Sequence, residues 1–266
     1  FAHNNYAIAS SDQSCPLYGG EIAWRPSDRS TLTVYGEDRD FGTSWKGSYR
    51  LRGTQFALDV SSSRRPTTTP AALLDETGLG NVQTLLDEIY TGRIPDPIER
   101  AKAIEEMMAT EGLPTSVGVP VSTYLPAPLR VGSHEATAAL LGTRNVLSAS
   151  VFAYRTRQLA ATTPISIPPA SLISINYDEQ GAALADTYRL TPLDALSTRL
   201  TVTRTRGLGP AEGAHSWEPA VALQVSHRFS LKLDGVLGAR MRRLDSTLVG
   251  NVQHESAVFA AAGYRF

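Results

Sequence analysis

The sequence predicts an all-β fold, namely an antiparallel transmembrane β-barrel of about 12 or more strands with a short helical insert in one long loop. Three observations predict this fold. Segments of about 10 residues alternate between apolar and polar side chains, and a tilted strand needs that length to cross a bilayer. The connections are short at one end of the strands and mostly long at the other. The last segment alternates up to a C-terminal phenylalanine.

The composition agrees with a barrel wall and excludes several other classes of protein. Hydrophobic residues make up 42% and charged residues 19% of the chain, both below the usual soluble averages. Half of each barrel strand is apolar and the rest carries few charges, so both shares can be low together. No apolar run is long enough for a transmembrane helix, and the single Cys15 excludes an internal disulfide framework. A net charge of −1 argues against nucleic acid as a partner.

The C-terminal segment is the clearest single strand. Val258, Ala260, Ala262, Tyr264 and Phe266 are two residues apart and share one face. Bacterial outer-membrane barrels commonly end in such a strand, which the barrel-assembly machinery recognises. The segment therefore predicts a bacterial outer-membrane location, with membrane lipid and the assembly machinery as partners. The alternative is a soluble all-β protein that happens to end in phenylalanine.

The same alternation predicts twelve strands in a single domain, residues 1–266. Because the first strand is cut short at Phe1 and no signal peptide is present, we expect a mature form or the C-terminal part of a longer chain. An even number is usual in bacterial single-chain barrels. The first predicted strand lies before Ser11, and the others cover residues 21–25, 31–41, 43–52, 54–64, 130–141, 146–157, 180–190, 196–207, 217–228, 231–244 and 254–266.

The connections alternate in length along the chain. Those predicted to be periplasmic are short and cover residues 26–29, 52–54, 142–145, 191–195 and 229–230. Those predicted to be external cover residues 11–20, 42–44, 65–129, 160–179, 209–216 and 246–253, and most are long. This asymmetry is typical of outer-membrane barrels, and a soluble sandwich has no reason to show it.

The insert, residues 66–129, contains more than a loop. Apolar residues at helical spacing predict one helix, and Asp96-Pro97-Ile98-Glu99 has the pattern of the start of a second. The helices could pair outside the barrel, cover its mouth or enter it as a plug. A lid or a site for a protein partner is favoured over a passive connection. The apolar stripes are formed by Val82, Leu85, Leu86 and Ile89, and by Ile98, Ala101, Ile104 and Met108.

The strand phases assign side chains to the lipid and to the lumen. The candidate lipid-facing aromatic residues lie on apolar faces near strand ends, and they are Trp24, Trp45, Tyr49, Trp217, Tyr264 and Phe266. The candidate lumen-facing charged residues are Lys46, Arg50, Arg52, Asp59, Arg228, Lys232, Asp234, Arg240 and Arg242. Basic groups outnumber acidic ones on this phase. They either pair across the interior of a narrow barrel or favour an anionic solute such as an acidic polysaccharide.

A few charged residues fall on the apolar phase instead. They include Asp38, Asp186, Arg204 and Arg206. Such residues either lie at the headgroup level, where the cost of a charge falls to roughly 0–1 kcal/mol, or mark bulges that change the facing of a strand.

Short motifs resemble one known family. The motifs are Trp24-Arg25-Pro26-Ser27, Arg29-Ser30-Thr31-Leu32, Phe41-Gly42, Val60-Ser61 leading to Thr67-Thr68-Thr69-Pro70, Arg242-Arg243-Leu244-Asp245-Ser246 and Gly263-Tyr264-Arg265-Phe266. They resemble the outer-membrane β-barrel proteins associated with the PEP-CTERM/exosortase system, encoded near exopolysaccharide genes. The resemblance implies an outer-membrane barrel linked to exopolysaccharide, and it assigns no activity to individual residues.

The sequence therefore leaves two functional classes open. One is a channel or export conduit linked to exopolysaccharide secretion, and the other is a non-conducting structural barrel that binds a protein partner through its insert or outer loops. We expect no enzyme, cofactor or metal site, because the five histidines lack ligand spacing and no catalytic motif is present. His254, Glu255 and Ser256 lie near the rim, but consecutive strand residues point to opposite faces and cannot form a triad alone.

Overall fold

The computed structural model describes residues 18–38, 43–67, 79–91, 93–111, 116–118, 129–159, 176–209, 212–230, 232–247 and 252–264. Eleven strands form one antiparallel sheet in which each strand pairs with the next one along the wall. The strands of this sheet are β1 Tyr18–Ser27, β2 Ser30–Asp38, β3 Ser44–Arg52, β4 Phe56–Thr67, β7 Leu129–Leu141, β8 Asn145–Gln158, β9 Tyr177–Arg189, β10 Asp194–Gly207, β11 His215–Arg228, β12 Leu233–Ser246 and β13 Val252–Tyr264.

The all-β, antiparallel prediction is confirmed. Every predicted strand that falls within the described residues is present, with ends displaced by at most about three residues, as is usual for strand boundaries. The strand predicted before Ser11 lies outside the described residues, as do Cys15, Arg265 and Phe266. Within the described part of the chain, β1 and β13 form the two edges of the sheet and do not pair with each other. Closure of the sheet and the count of twelve strands therefore stay predictions.

The pairing register is regular almost everywhere. Among the described residues, the one register shift in the sheet lies between Trp24 and Ser27, next to the turn between β1 and β2. The strands β8, β9, β10 and β11 pair residue by residue without interruption. The bulge alternative for Asp186, Arg204 and Arg206 is therefore wrong, and these side chains remain on the apolar phase of their strands.

The connection between β4 and β7 folds into a small unit of its own. Strand β5 (Leu79–Asn81) is followed by helices α1 (Val82–Tyr90) and α2 (Pro97–Glu111), and strand β6 (Ser116–Gly118) pairs with β5. The Asp96 Oδ1 accepts hydrogen bonds from the backbone N–H groups of Ile98 and Glu99, at 2.8 and 2.9 Å. The predicted N-cap is thus confirmed, with Pro97 at the first helical position. The β5–β6 pair was not predicted.

The insert packs against one face of the large sheet. Helix α1 contacts β4 and β7, while β5 and β6 contact β7, β8 and β9. We call the face that carries the insert the inner face and the opposite one the outer face. Leu86 and Ile104 are 0% and 1% exposed at the centre of the resulting core. The core residues are Ala57, Leu85, Leu86, Ile89, Ile104, Met108, Ala139, Leu141, Val146 and Ala183.

The second predicted stripe of the insert is only partly correct. Ile104 and Met108 are buried, but Ile98 is 79% exposed and Ala101 is also exposed. Met107 and Tyr90 pack against the core instead. The C-terminal half of the helix packs its apolar side chains toward α1, whereas the first turn contacts α1 through the ion pair of Arg100 with Asp87. The apolar stripe therefore does not continue to the N-terminus. No helix among the described residues is long and apolar enough to cross a membrane.

Candidate functional site

The outer face is apolar and uncovered. Of the exposed large apolar side chains on the strands, all but Tyr35 and Phe259 have outer-face phase. In water, a soluble monomer rarely exposes such a continuous apolar surface. A lipid environment accounts for it directly, because the alternation puts apolar groups toward the acyl chains. These outer-face residues are Tyr18, Ile22, Trp24, Val34, Trp45, Phe56, Val60, Leu140, Val151, Leu184, Tyr188, Leu200, Trp217, Leu223, Val225, Leu233, Leu237, Met241, Val252, Val258 and Tyr264.

The predicted lipid-facing aromatic residues within the described residues all have the outer-face phase. Trp24, Trp45, Trp217 and Tyr264 are exposed there, and Tyr49 is partly exposed on the same phase of β3. Phe266 lies outside the described residues. The contact of these rings with lipid stays a prediction.

Most of the predicted lumen-facing charges have inner-face phase, and several pair there. The Arg50 Nε lies 2.9 Å from an Asp59 carboxylate oxygen on the neighbouring strand. A second guanidinium nitrogen of Arg50 lies 3.9 Å from Glu88 of helix α1. Arg52 donates hydrogen bonds to the backbone carbonyl of Asp28, at 2.8 and 3.2 Å. Arg50 therefore links the sheet to the insert, and Arg52 links β3 to the turn between β1 and β2.

A second group of ion pairs lies at the other side of the sheet. The Arg242 Nε is 2.6 Å from Glu218, and an Arg240 guanidinium nitrogen is 2.7 Å from Glu255. Arg228 and Asp234 are directly opposite each other in the register of β11 and β12. Lys46 shares the inner-face phase of β3 with Arg50. The side chains in the two ion pairs remain one-third to more than one-half exposed, so water reaches them.

Lys232 is not on a strand, contrary to the prediction. Strand β12 begins at Leu233, and Lys232 belongs to the preceding turn. The Ser230 hydroxyl accepts hydrogen bonds from the backbone N–H groups of Lys232 and Leu233, at 3.2 and 3.1 Å. This serine turn begins the strand two residues later than the alternation alone predicts.

Sequence reasoning missed several acidic groups of the inner face. Glu135 and Glu179 are largely enclosed near the long-connection end, and the Tyr154 hydroxyl donates a hydrogen bond to Glu135. Glu37 is also buried and accepts a hydrogen bond of 2.6 Å from Tyr35. The signal was present, because all three acids share a strand phase with polar neighbours. With Glu88 of the insert, they are acidic side chains that the sequence-based comparison of basic and acidic groups did not include.

The inner face has concave regions on two sides of the insert. A cleft of about 830 Å³ lies at the short-turn end between α1 and strands β1–β4. A smaller groove of about 220 Å³ lies along β10–β13 and is lined by Arg199, Arg240, Arg242 and Glu255. The insert thus covers one side of the inner face and leaves charged concave surface on both flanks.

The described residues do not gather a set of metal ligands, and the histidine, glutamate and serine at the rim do not converge. No group of three or more His, Cys, Asp or Glu residues in the described part of the chain has the geometry to hold a metal ion. His254 and Ser256 have outer-face phase, whereas Glu255 pairs with Arg240 on the inner face. These three consecutive residues therefore do not converge.

Three comparisons with known proteins give one set of similar structures. No family model matches the chain, and no curated protein matches it. Solved structures that it resembles include the in-vitro folded outer membrane protein OmpT of Vibrio cholerae, with a TM-score of 0.45, 9% identity, and coverage of 93% of this chain and 64% of that one. Its loop L8 deletion mutant gives a TM-score of 0.43 at 11% identity, with 93% of this chain and 62% of that chain covered.

The same protein expressed in the outer membrane gives a TM-score of 0.43 at 10% identity, with 93% of this chain and 64% of that chain covered. The chain therefore spans less than two-thirds of the length of these structures.

Proposed function

We propose that this chain forms the wall of a bacterial outer-membrane β-barrel and that its insert controls passage of a polar solute along the inner face. The observation that carries the proposal is the contrast between the two faces. The outer face exposes aromatic and aliphatic side chains, whereas the inner face carries ion pairs and the insert. That is the division of surfaces a lipid-embedded conduit needs.

The position of the insert supports control rather than passive connection. Leu85, Leu86 and Ile89 pack on small side chains of the wall, including Ala57 and Ala139. This contact is apolar and limited in extent, so a single polar substitution can weaken it. An insert bound in this way reduces the open cross-section and can leave it when the contact is broken.

The solute class follows from the resemblance noted above. Barrels of that family are encoded near exopolysaccharide genes, so a secreted polysaccharide is the first solute to test. The ion pairs Arg50–Asp59, Arg240–Glu255 and Arg242–Glu218 reduce the basic surplus on which anion preference would depend. We therefore expect any anion preference to be weak, and reversal potentials in a salt gradient measure it.

The test is conductance of the purified chain in a planar bilayer. Leu86→Asp places a charge in the buried contact of the insert, whereas Ile98→Asp makes the same change at a site that is 79% exposed on the same insert. We expect Leu86→Asp and deletion of residues 79–118 to raise conductance, and Ile98→Asp to match the parent chain. Equal, low conductance in all four proteins would contradict a conduit.

That outcome would favour the second candidate, a non-conducting barrel that binds a protein partner through the insert. The exposed first turn of α2, with Ile98 at its surface, favours this alternative because a large apolar side chain there has no described covering. Pull-down of periplasmic or surface proteins with the parent chain and with Ile98→Asp separates the two functions. Loss of a specific partner without any change in conductance would support docking.

A further inference from the structure

The long-connection end of the outer face is strongly basic. The six arginines that lie there have the outer-face phase of β4, β7, β8 and β10 and lie within about four residues of the long-connection end of their strands. We call this group the arginine belt, and its members are Arg64, Arg130, Arg155, Arg157, Arg204 and Arg206.

The register makes the belt a continuous surface. Arg155 lies opposite Gly132 on one side and Asp178 on the other, and Asp178 in turn lies opposite Arg206. Arg157 lies opposite Arg130. Cross-strand neighbours on one face are within reach of long side chains. Guanidinium groups from adjacent strands can therefore bind one ligand together.

The outer face carries fewer carboxylates than arginines at this end, and those on the described strands are Asp38, Asp178 and Asp245. Asp178 takes both guanidinium contacts of Arg155, at 2.6 and 2.7 Å. Among the described residues, no carboxylate forms an ion pair with Arg157, Arg204 or Arg206, and all three are exposed. These three groups hold donors that face outward from the wall.

Two tryptophans mark the depth of the belt relative to the apolar band. Trp45 lies opposite Arg64, and Trp217 lies opposite Arg204. Tryptophan is enriched at the level of the headgroups, where its ring is partly apolar and its N–H is hydrated. Beyond both residues, toward the short turns, the outer face is mainly aliphatic and aromatic. The belt thus lies where the acyl region ends.

The opposite end of the outer face lacks such a belt. Among the described strand residues, every Arg or Lys with outer-face phase lies toward the long connections, Arg243 included, and none lies toward the short turns. The short-turn end carries Asp194 and His227, which contact each other at 2.5 Å. The two ends of the same wall therefore differ in basic charge, which is concentrated at the long-connection end.

We propose that the arginine belt binds the phosphate groups of lipid headgroups in the leaflet on the long-connection side. Guanidinium pairs bind phosphate oxygens through parallel N–H donors, which gives geometry as well as charge. A phosphorylated glycolipid fits both surfaces, since its acyl chains cover the aliphatic band while its phosphates reach the belt. This inference rests on the proposed membrane-spanning wall.

The experiment measures lipid selection by the full chain. The purified protein is first shown to insert into phosphatidylcholine vesicles by co-flotation. Lipid A, its dephosphorylated form and phosphatidylcholine are then titrated into micelles of the protein, and bound lipid is counted by native mass spectrometry. We expect lipid A to bind at least tenfold more tightly than the dephosphorylated form, because the dephosphorylated form lacks the phosphate groups that the arginines contact. A tenfold difference in affinity corresponds to about 1.4 kcal/mol.

The variant R157Q/R204Q/R206Q removes three belt charges and should lower lipid A affinity by roughly tenfold or more. The control R29Q/K102Q/K232Q removes the same charge from two turns and the exposed side of α2, and it should bind lipid A like the parent chain. All proteins should insert into phosphatidylcholine equally, because the aliphatic band is unchanged.

Each other outcome overturns the proposal. Parent-like lipid A binding by R157Q/R204Q/R206Q, equal losses in both triple variants, or no preference of the parent chain for phosphate would all contradict it. Displacement of lipid A by millimolar inorganic phosphate would indicate a free-anion site instead of a headgroup site. Failure of the parent chain to insert into vesicles would refute the membrane wall itself, whereas insertion without lipid selection refutes only the belt.

Discussion

The outer and inner faces of this sheet are built from the same strands, yet they face different surroundings. On β11, Leu223 is exposed on the outer face, while its neighbour Gln224 has the inner-face phase. Among the described residues, no element packs over the aliphatic side chains of the outer face. The inner face carries the insert, ion pairs and clefts. The comparison shows that the exposure of side chains in the isolated sheet does not by itself indicate that they face water. The chemistry of what is exposed decides which solvent a face needs.

The largest effect is expected where the insert meets the inner face. Leu86→Ala removes a side chain that is 0% exposed from the centre of the core, so it should lower the free energy of unfolding of the insert by about 2–5 kcal/mol. Ile98→Ala, at an exposed site of the same insert, should change it little. Hydrogen exchange of the α1 amides in lipid measures this local stability. Equal protection in both variants would indicate that the insert is not held by this contact.

The next effect distinguishes the two faces directly. Leu223→Arg places a charge in the middle of the outer face and should cost roughly 2–4 kcal/mol if that face contacts acyl chains. Gln224→Arg, one residue away on the inner face, should cost much less, since a wet interior accepts a charge. Denaturant unfolding from vesicles gives both values. A soluble protein with Leu223 in water would tolerate Leu223→Arg as well as Gln224→Arg.

A smaller effect is expected at a close contact on the inner face. A Cβ added to Gly181 would lie 2.5 Å from the Phe152 ring and 2.5 Å from the Val202 carbonyl oxygen on β10. Because the backbone oxygen cannot move freely, Gly181→Ala should destabilise the wall by about 1–3 kcal/mol. Gly47→Ala is the control, since its nearest contact is 4.0 Å away. The two unfolding midpoints should differ clearly, and identical midpoints would mean that β9 can shift at no cost.

The alternation of the sequence was sufficient to predict the strands but not the contacts between distant elements. Period-two patterns such as Trp45-Lys46-Gly47-Ser48 depend only on which face each residue occupies, so strand phase could be read locally. The packing of the insert on Ala57 and Ala139 could not be predicted locally, because a small residue in a strand does not indicate which distant element packs on it. Lys232 was misplaced for a similar reason. Its turn is set by the Ser230 hydroxyl, which competes with strand pairing.

The smallest expected effect tests how wet the inner face is. Arg242 and Glu218 are 2.6 Å apart with side chains 49% and 32% exposed, so their pairing in water should contribute only roughly 0–1 kcal/mol. A double-mutant cycle with Arg242→Ala and Glu218→Ala measures this coupling, and high salt should reduce it further. The bidentate Arg155–Asp178 pair on the outer face is the matched comparison. Coupling of several kcal/mol at Arg242–Glu218, insensitive to salt, would mean a dry interior, since water no longer screens the two charges. An open, water-filled conduit requires the weak, salt-sensitive result.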